Sequence, residues 1–189
     1  MKTDIILCGV GGQGILSIAT VIGQAATKAG LHLKQAEVHG MSQRGGDVQS
    51  HLRLSTERIW SDLIPEGGAD LIISMEPMEA LRYLPWLSPE GAVITASAPF
   101  VNIPDYPSMD SVNAELAALP QVVSIDIDAI AKEAKSPRSA NMVLLGAASG
   151  RLGVLGPEQI REAIAVIFAR KGEEVVKSNV NAFNLGLER

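Results

Sequence analysis

Two stretches hold residues whose types and spacing could do chemistry. The first is Gly9-Val10-Gly11-Gly12-Gln13-Gly14, a G-x-G-x-x-G pattern set between the apolar run Ile5-Ile6-Leu7-Cys8 and a helical pattern. Glycines at this spacing permit a tight turn and a close backbone approach. The exposed N–H groups of a helix start favour an anion such as a phosphate. Glu37 lies about 20 residues further on, at the end of a second predicted strand, where a dinucleotide fold keeps its ribose-binding acid. Gly9, Gly11, Gly12, Gln13, Gly14 and Glu37 therefore form a candidate cofactor-binding set. The alternative is that the glycines only let the first helix pack closely on a sheet.

The second stretch is His39-Gly40-Met41-Ser42-Gln43-Arg44-Gly45-Gly46, which joins the second and third predicted strands without a helical period. If the second strand runs parallel to the first, this loop leaves the same carboxyl edge as the glycine turn, where open α/β sheets bind ligands. Arg44 would then serve as an anion clamp or a partner contact, because its planar fork suits carboxylate and phosphate. Taken as a bare loop, the same residues read as a solvated turn.

The elements that must position these residues alternate between short apolar runs and helical patterns, the mark of an α/β domain. Strands are expected at 5–8, 31–38, 48–54, 71–73, 92–95 and 122–125, with the third half exposed. The first helix carries Ile15, Ile18, Ile22, Ala25 and Ala29 at helical spacing and stops at Gly30. Glu76-Pro77 opens another helix, with proline at a permitted first-turn position. Pro99, Pro104 and Pro107 make their segment an irregular excursion, since each lacks a backbone donor. Helical patterns over 127–134, 141–151 and 157–170, and a last one ending near Leu187, fill the final third. The expected fold is a Rossmann-like open, mostly parallel sheet with helices on both faces, in one domain spanning 1–189.

Composition removes several classes of function. The chain has 189 residues, 47% of them apolar, enough for one sizeable core. Its 16 basic against 21 acidic residues give a net charge of −5. With aromatics at only 4%, neither the electrostatic footprint nor the stacking platform of a nucleic-acid binder is present. The uncharged stretch from Ile5 to Thr27 could pass for a membrane span, but Gly9, Gly11, Gly12, Gly14 and Gly23 break the apolar continuity such a span needs. A cytoplasmic protein with no membrane segment is expected. The single Cys8 cannot hold an iron–sulfur cluster, a four-cysteine zinc site or an internal disulfide. His32, His39 and His51 have no metal spacing, so no metal site is expected.

The glycine turn Gly9 to Gly14, followed by the basic, glycine-bearing loop Gly40 to Gly46, resembles the gamma-type subunit or domain of 2-oxoacid:ferredoxin oxidoreductases. The His39–Gly46 variant is most similar to the small subunits of the indolepyruvate-type enzymes. Asn141-Met142-Val143-Leu144-Leu145-Gly146 and the closing Asn181-Ala182-Phe183 with Gly186 extend the resemblance over nearly the whole chain. The resemblance implies CoA-dependent oxidative decarboxylation of a 2-oxoacid, with aryl pyruvates expected. Thiamine diphosphate and iron–sulfur (4Fe-4S) clusters would sit on a large partner subunit, and electrons would leave to ferredoxin. This chain would hold none of those cofactors and no catalytic nucleophile. Gly11, Gly12, Gln13 and Gly14 would offer donors to a phosphate of coenzyme A or to the facing subunit, while Ser42, Gln43 and Arg44 would project toward the substrate entrance or brace the interface.

Two other readings stand beside this one: a stand-alone NAD- or flavin-dependent enzyme using Gly9–Gly14 and Glu37, and a non-catalytic interaction module. Mean hydropathy is +0.19 and charged residues are 20%, below the roughly 25% of typical domains, which points to a protein partner or a homodimer when isolated. Trp60, Trp86, Phe100 and Tyr106 are candidate anchors for such contacts, each with the alternative of a peripheral core role.

Overall fold

The computed structural model describes residues 1–39 and 45–189, so Gly40, Met41, Ser42, Gln43 and Arg44 lie outside the described residues, as does the side chain of His39. Among the described residues six strands form one sheet: β1 (Lys2–Val10), β2 (His32–His39), β3 (Asp47–Ser55), β4 (Ala69–Ser74), β5 (Leu87–Ala96) and β6 (Val122–Ile125). The helices are α1 (Ile15–Lys28), α2 (Pro77–Arg82), α3 (Met109–Ala117), α4 (Ile127–Glu133), α5 (Ala140–Ser149), α6 (Pro157–Phe168) and α7 (Glu173–Leu187).

Strand order is β2-β3-β1-β4-β5-β6. β1, β4, β5 and β6 pair in parallel, whereas β3 runs antiparallel to both β1 and β2. Two antiparallel steps restore the direction, so β2 points the same way as β1 without touching it. The segment after β2 therefore leaves the same carboxyl edge as the glycine turn after β1.

Alternate residues of β1 feed two cores, which is why its apolar run is continuous. Ile5 and Leu7 join the larger core beneath α1, α4, α5, α6 and α7, and Ile6 and Cys8 join the smaller one beneath α2 and α3. α1 ends with Leu31 N–H donating to Ala26 O (3.0 Å) and Gly30 N–H to Thr27 O (3.1 Å), the paired bonds of a glycine-terminated helix.

The two C-terminal motifs of the sequence meet each other. α5 is buried along most of its length and packs on α7 at a contact too close for side chains. A Cβ on Gly146 would lie 2.1 Å from Phe183 O, and one on Gly186 would lie 2.0 Å from Val143 O. Glycine at both positions lets the backbones touch.

The third strand is more buried than expected. β3 lies between β1 and β2, and His51 is only 4% exposed because residues 56–66 cover its face. His51 Nδ1 accepts from Ile64 N–H (3.0 Å), and the ring packs edge-on against Trp86. Burial, then the Arg53 charge, lowers the His51 pKa, with Asp62 opposing. The cover segment is tied down by Arg53, which donates to Ser61 O and Leu63 O and grips Asp4 across the β1–β3 ladder through two bonds of 2.8 and 3.0 Å. Burial alone would raise the Asp4 pKa, but the Arg53 and Lys2 hydrogen bonds and charges outweigh it and hold the carboxyl below its usual range. Among the described residues, no helix is long and apolar enough to cross a membrane.

Candidate functional site

β1 delivers the chain to the carboxyl edge of the sheet at Val10, and α1 begins five residues later. Between them the turn is braced from within. Gln13 Oε1 accepts from Val10 N–H (2.7 Å), and Gln13 Nε2 donates to Met75 O (3.2 Å) at the end of β4. The amide expected to face a phosphate is thus engaged inside the protein, and Gln13 acts as a strut. Gly12 has φ +105° with open space where a Cβ would stand. Gly14, at φ +85°, is the N-cap of α1 and leaves no room for a Cβ, since Asn141 Nδ2 would be 2.7 Å away. Asn141 instead donates to Gly14 O (3.1 Å), so it links α5 to the turn rather than capping its own helix. α1 has neither a side-chain cap nor an acidic residue in its first turn, leaving its positive end facing the cleft.

The turn and the loop that singled themselves out in the sequence are directly bonded. Gly11 N–H donates to Gly46 O (2.8 Å) and Gly45 N–H donates to Gly11 O (3.3 Å), continuing the β1–β3 ladder past Val10 and Asp47. Asp47, at the root of this loop, accepts from the Tyr83 hydroxyl (2.6 Å), which ties the root to the end of α2 as well. The candidate loop residues Gly40 to Arg44 lie outside the described residues; Gly45 and Gly46 stand against the turn.

Glu37 is placed differently from a dinucleotide acid. Such an acid sits on the strand adjacent to β1, whereas here β3 intervenes: Glu37 aligns with Ser50, and Ser50 aligns with Leu7. Two strand spacings put Glu37 roughly 10 Å to the side of β1. The inserted antiparallel strand is the reason, and the spacing of about 20 residues could not reveal it.

Three clefts of about 430, 440 and 420 Å³ surround the turn and share Gly12. The first runs along Val10, Ile15, Leu16 and Val48 and is mainly apolar. The other two are lined by Arg138 and Asn141, the second also by Asp128 and the third by Lys171 and Ser17. Arg138 and Lys171 bring cationic side chains to the helix start, a donor set suited to a phosphate ester. Sequence reasoning passed over both. Their signal was weak, because they lie more than 120 residues from the turn and belong to no local pattern.

Three ionisable groups near the edge, Cys8, Tyr83 and Tyr106, are held protonated at neutral pH. Burial pushes the Cys8 thiol well above its ordinary pKa, and burial likewise raises Tyr83 and Tyr106, each hydrogen-bonded to a carboxyl group. Glu79 is raised chiefly by burial and by the charge of Asp47, against the lowering effect of Arg82 at 2.8 Å. None of these supplies a ready nucleophile at neutral pH. Cys8 is 0% exposed, and among the described residues no group of three or more His, Cys, Asp or Glu could hold a metal ion. The residues present therefore do not fit an iron–sulfur cluster.

Of the aromatic anchors, Trp60 and Phe100 are 78% and 45% exposed, whereas Trp86 packs on Tyr83 and Tyr106 bonds to Glu76. Leu16 at the start of α1, Val38 at the end of β2, and Val101 and Ile103 in the segment after β5 are exposed along the same carboxyl edge of the sheet as Phe100.

Comparison with known proteins agrees with this architecture. The family model for pyruvate ferredoxin/flavodoxin oxidoreductase matches residues 4–189. Indolepyruvate oxidoreductase subunit IorB of Archaeoglobus fulgidus is 37% identical, over 98% of this chain and 94% of that protein. The keto/oxoacid ferredoxin oxidoreductase gamma subunit of Geobacter sulfurreducens has a similar structure, with TM-score 0.72, 25% identity and coverage of 98% and 96% of the two chains. The 2-oxoglutarate:ferredoxin oxidoreductase of Magnetococcus marinus, solved with 2-oxoglutarate, coenzyme A and succinyl-CoA, aligns at TM-score 0.76 and 26% identity, over 99% of this chain and 30% of that one. A glycine turn bonded to its partner loop, on a sheet shared with these subunits and in a sequence matched from residue 4 to the end, shows that this chain belongs to the pyruvate ferredoxin/flavodoxin oxidoreductase family.

Proposed function

We propose that this chain is the small subunit of a cytoplasmic 2-oxoacid:ferredoxin oxidoreductase that acts on indolepyruvate or related aryl pyruvates. The observation that carries the reading is the direct bonding of Gly11 to Gly45 and Gly46, by which the turn and the end of the candidate loop meet at one edge of the sheet. Similarity to indolepyruvate oxidoreductase subunits over 98% of the chain supports the substrate class. In this reading a large partner subunit carries thiamine diphosphate and the iron–sulfur clusters, consistent with a single buried cysteine here, and ferredoxin receives electrons through the complex.

Coenzyme A, as co-substrate, supplies the thiol that takes the acyl group. The turn would hold one of its phosphates through backbone N–H groups of Gly12 and Gly14 and the positive end of α1. Arg138 and Lys171 would balance the remaining charge. Gln13 would keep the turn rigid from beneath. His39 to Gly46, with Arg44 at its centre, would cover the substrate entrance or meet the partner, and the apolar rim of Leu16, Val38, Phe100, Val101 and Ile103 would be buried there. In isolation that rim would favour a homodimer.

Coexpression with a large subunit carrying the thiamine and cluster motifs tests the reading. Indolepyruvate- and coenzyme A-dependent ferredoxin reduction by the complex is expected, with none by this chain alone. Reduction by the isolated chain, or stabilisation of it by NAD in place of coenzyme A, overturns the reading.

A further inference from the structure

Between β5 and α3 the chain crosses the carboxyl edge as a strap, residues 98–107, that has no regular secondary structure and three prolines. A segment with so few ladder bonds needs another anchor, and the buried carboxyl group of Glu76 provides it. Glu76 is 0% exposed and caps α2, with Oε2 accepting from Glu79 N–H (2.8 Å). Its other oxygen, Oε1, serves the strap at two points, accepting from Phe100 N–H (3.2 Å) and from the Tyr106 hydroxyl. Ser74 secures the Glu76 backbone in turn, donating to Glu76 O and accepting from Glu76 N–H. Between those two points, Asn102 Nδ2 donates to Gly45 O (2.7 Å). Gly45 N–H donates to Gly11 O (3.3 Å). A continuous set of hydrogen bonds therefore runs from a buried acid on α2, through the strap, to the loop root and the glycine turn.

We propose that Glu76 is a positioning residue for the glycine turn and the loop root at Gly45, acting through the strap by way of Tyr106 and Asn102. Among the described residues none of its hydrogen bonds reaches either segment, so its effect passes through the strap. The proposal rests on the reading that these segments bind substrate in the assembled oxidoreductase, but the tether itself is a property of this chain. Burial, together with the Glu76 hydrogen bond, keeps the Tyr106 hydroxyl protonated and able to donate across the neutral range. Among the described residues Asn102 Oδ1 is buried without a partner, and the amide is held by its Nδ2 bond to Gly45 O.

The test uses Tyr106→Phe and Asn102→Ala, singly and together, which leave the Glu76 cap of α2 intact. In the full chain, hydrogen exchange at the Gly11 and Gly45 amides should quicken by roughly tenfold in Asn102→Ala, by less in Tyr106→Phe because Phe100 N–H still holds the strap to Glu76, and in the double variant no further than in Asn102→Ala, since both act on one path. In the complex with the large subunit, each variant should raise KM for coenzyme A or the 2-oxoacid by roughly fivefold or more, with kcat changed by less than about threefold. Unchanged exchange at both amides overturns the tether, and so does a double variant whose effects multiply. A wild-type complex without 2-oxoacid activity, with the exchange pattern as expected, overturns the functional reading and leaves the tether standing.

Discussion

Gly11 N–H donates to Gly46 O across 2.8 Å, joining a turn and a loop separated by 35 positions in the chain. That bond exists because β3 runs back beside β1 and brings the end of the loop to the end of the first strand. Whatever the turn binds therefore lies beside the loop's end at Gly45 and Gly46.

The turn's glycines differ in what they tolerate. Gly12→Ala meets no neighbouring atom but must adopt φ +105°, so it should cost about 1–2 kcal/mol and weaken coenzyme A binding by the complex. Gly14→Ala carries a similar strain and a 2.7 Å clash with Asn141, so its melting temperature should fall further. Paired thermal melts of the two variants check the order.

Closer still is the α5–α7 contact. Gly146→Ala or Gly186→Ala places a methyl about 2 Å from a carbonyl oxygen of the facing helix, which backbone on both sides cannot yield. Each substitution should destabilise by at least about 3 kcal/mol in denaturant unfolding. A loss under 1 kcal/mol would mean the helices are further apart than the structure has them.

His51 should make stability depend on pH. Its pKa is lowered in the fold from about 6.5, so at higher pH both states are neutral and the contribution is complete. As pH falls below about 6.5 the unfolded state takes up a proton that the buried ring resists, and stability drops until the lowered value is reached. His51→Asn keeps an acceptor for Ile64 N–H and removes the titration. The fall in melting temperature between pH 7.5 and 5.5 should be smaller in this variant than in the wild type.

Arg44 is the loop's cation. In the assembled complex Arg44→Ala should lower kcat/KM for the 2-oxoacid or coenzyme A by roughly tenfold or more, the scale of one lost charge-assisted contact. The melting temperature of this chain should stay within about 2 °C. Unchanged kinetics would remove the loop from the mechanism.

Much of this was legible in the sequence because it is local. The apolar run Ile5–Cys8 announced a strand, Gly30 a helix stop and Glu76-Pro77 a helix start. What was not legible is non-local. The insertion of β3 between β1 and β2 moved Glu37 away from the turn and buried His51, and neither follows from alternation along one strand. Glu76 read as a helix-start residue, yet its carboxyl group also holds a strap 24 to 30 positions away. Arg138 lies just before α5 and Lys171 just after α6, and they reach the turn only because those two helices pack on α1.

The central claim is that this chain completes an enzyme whose redox centres lie elsewhere, and ferredoxin reduction tests it most directly. Purified alone, the chain should be colourless and should reduce no ferredoxin with indolepyruvate and coenzyme A. Mixed or coexpressed with its large subunit, it should give activity that requires both chains. Full activity of the large subunit without this chain, or any activity of this chain without the large one, would contradict the account.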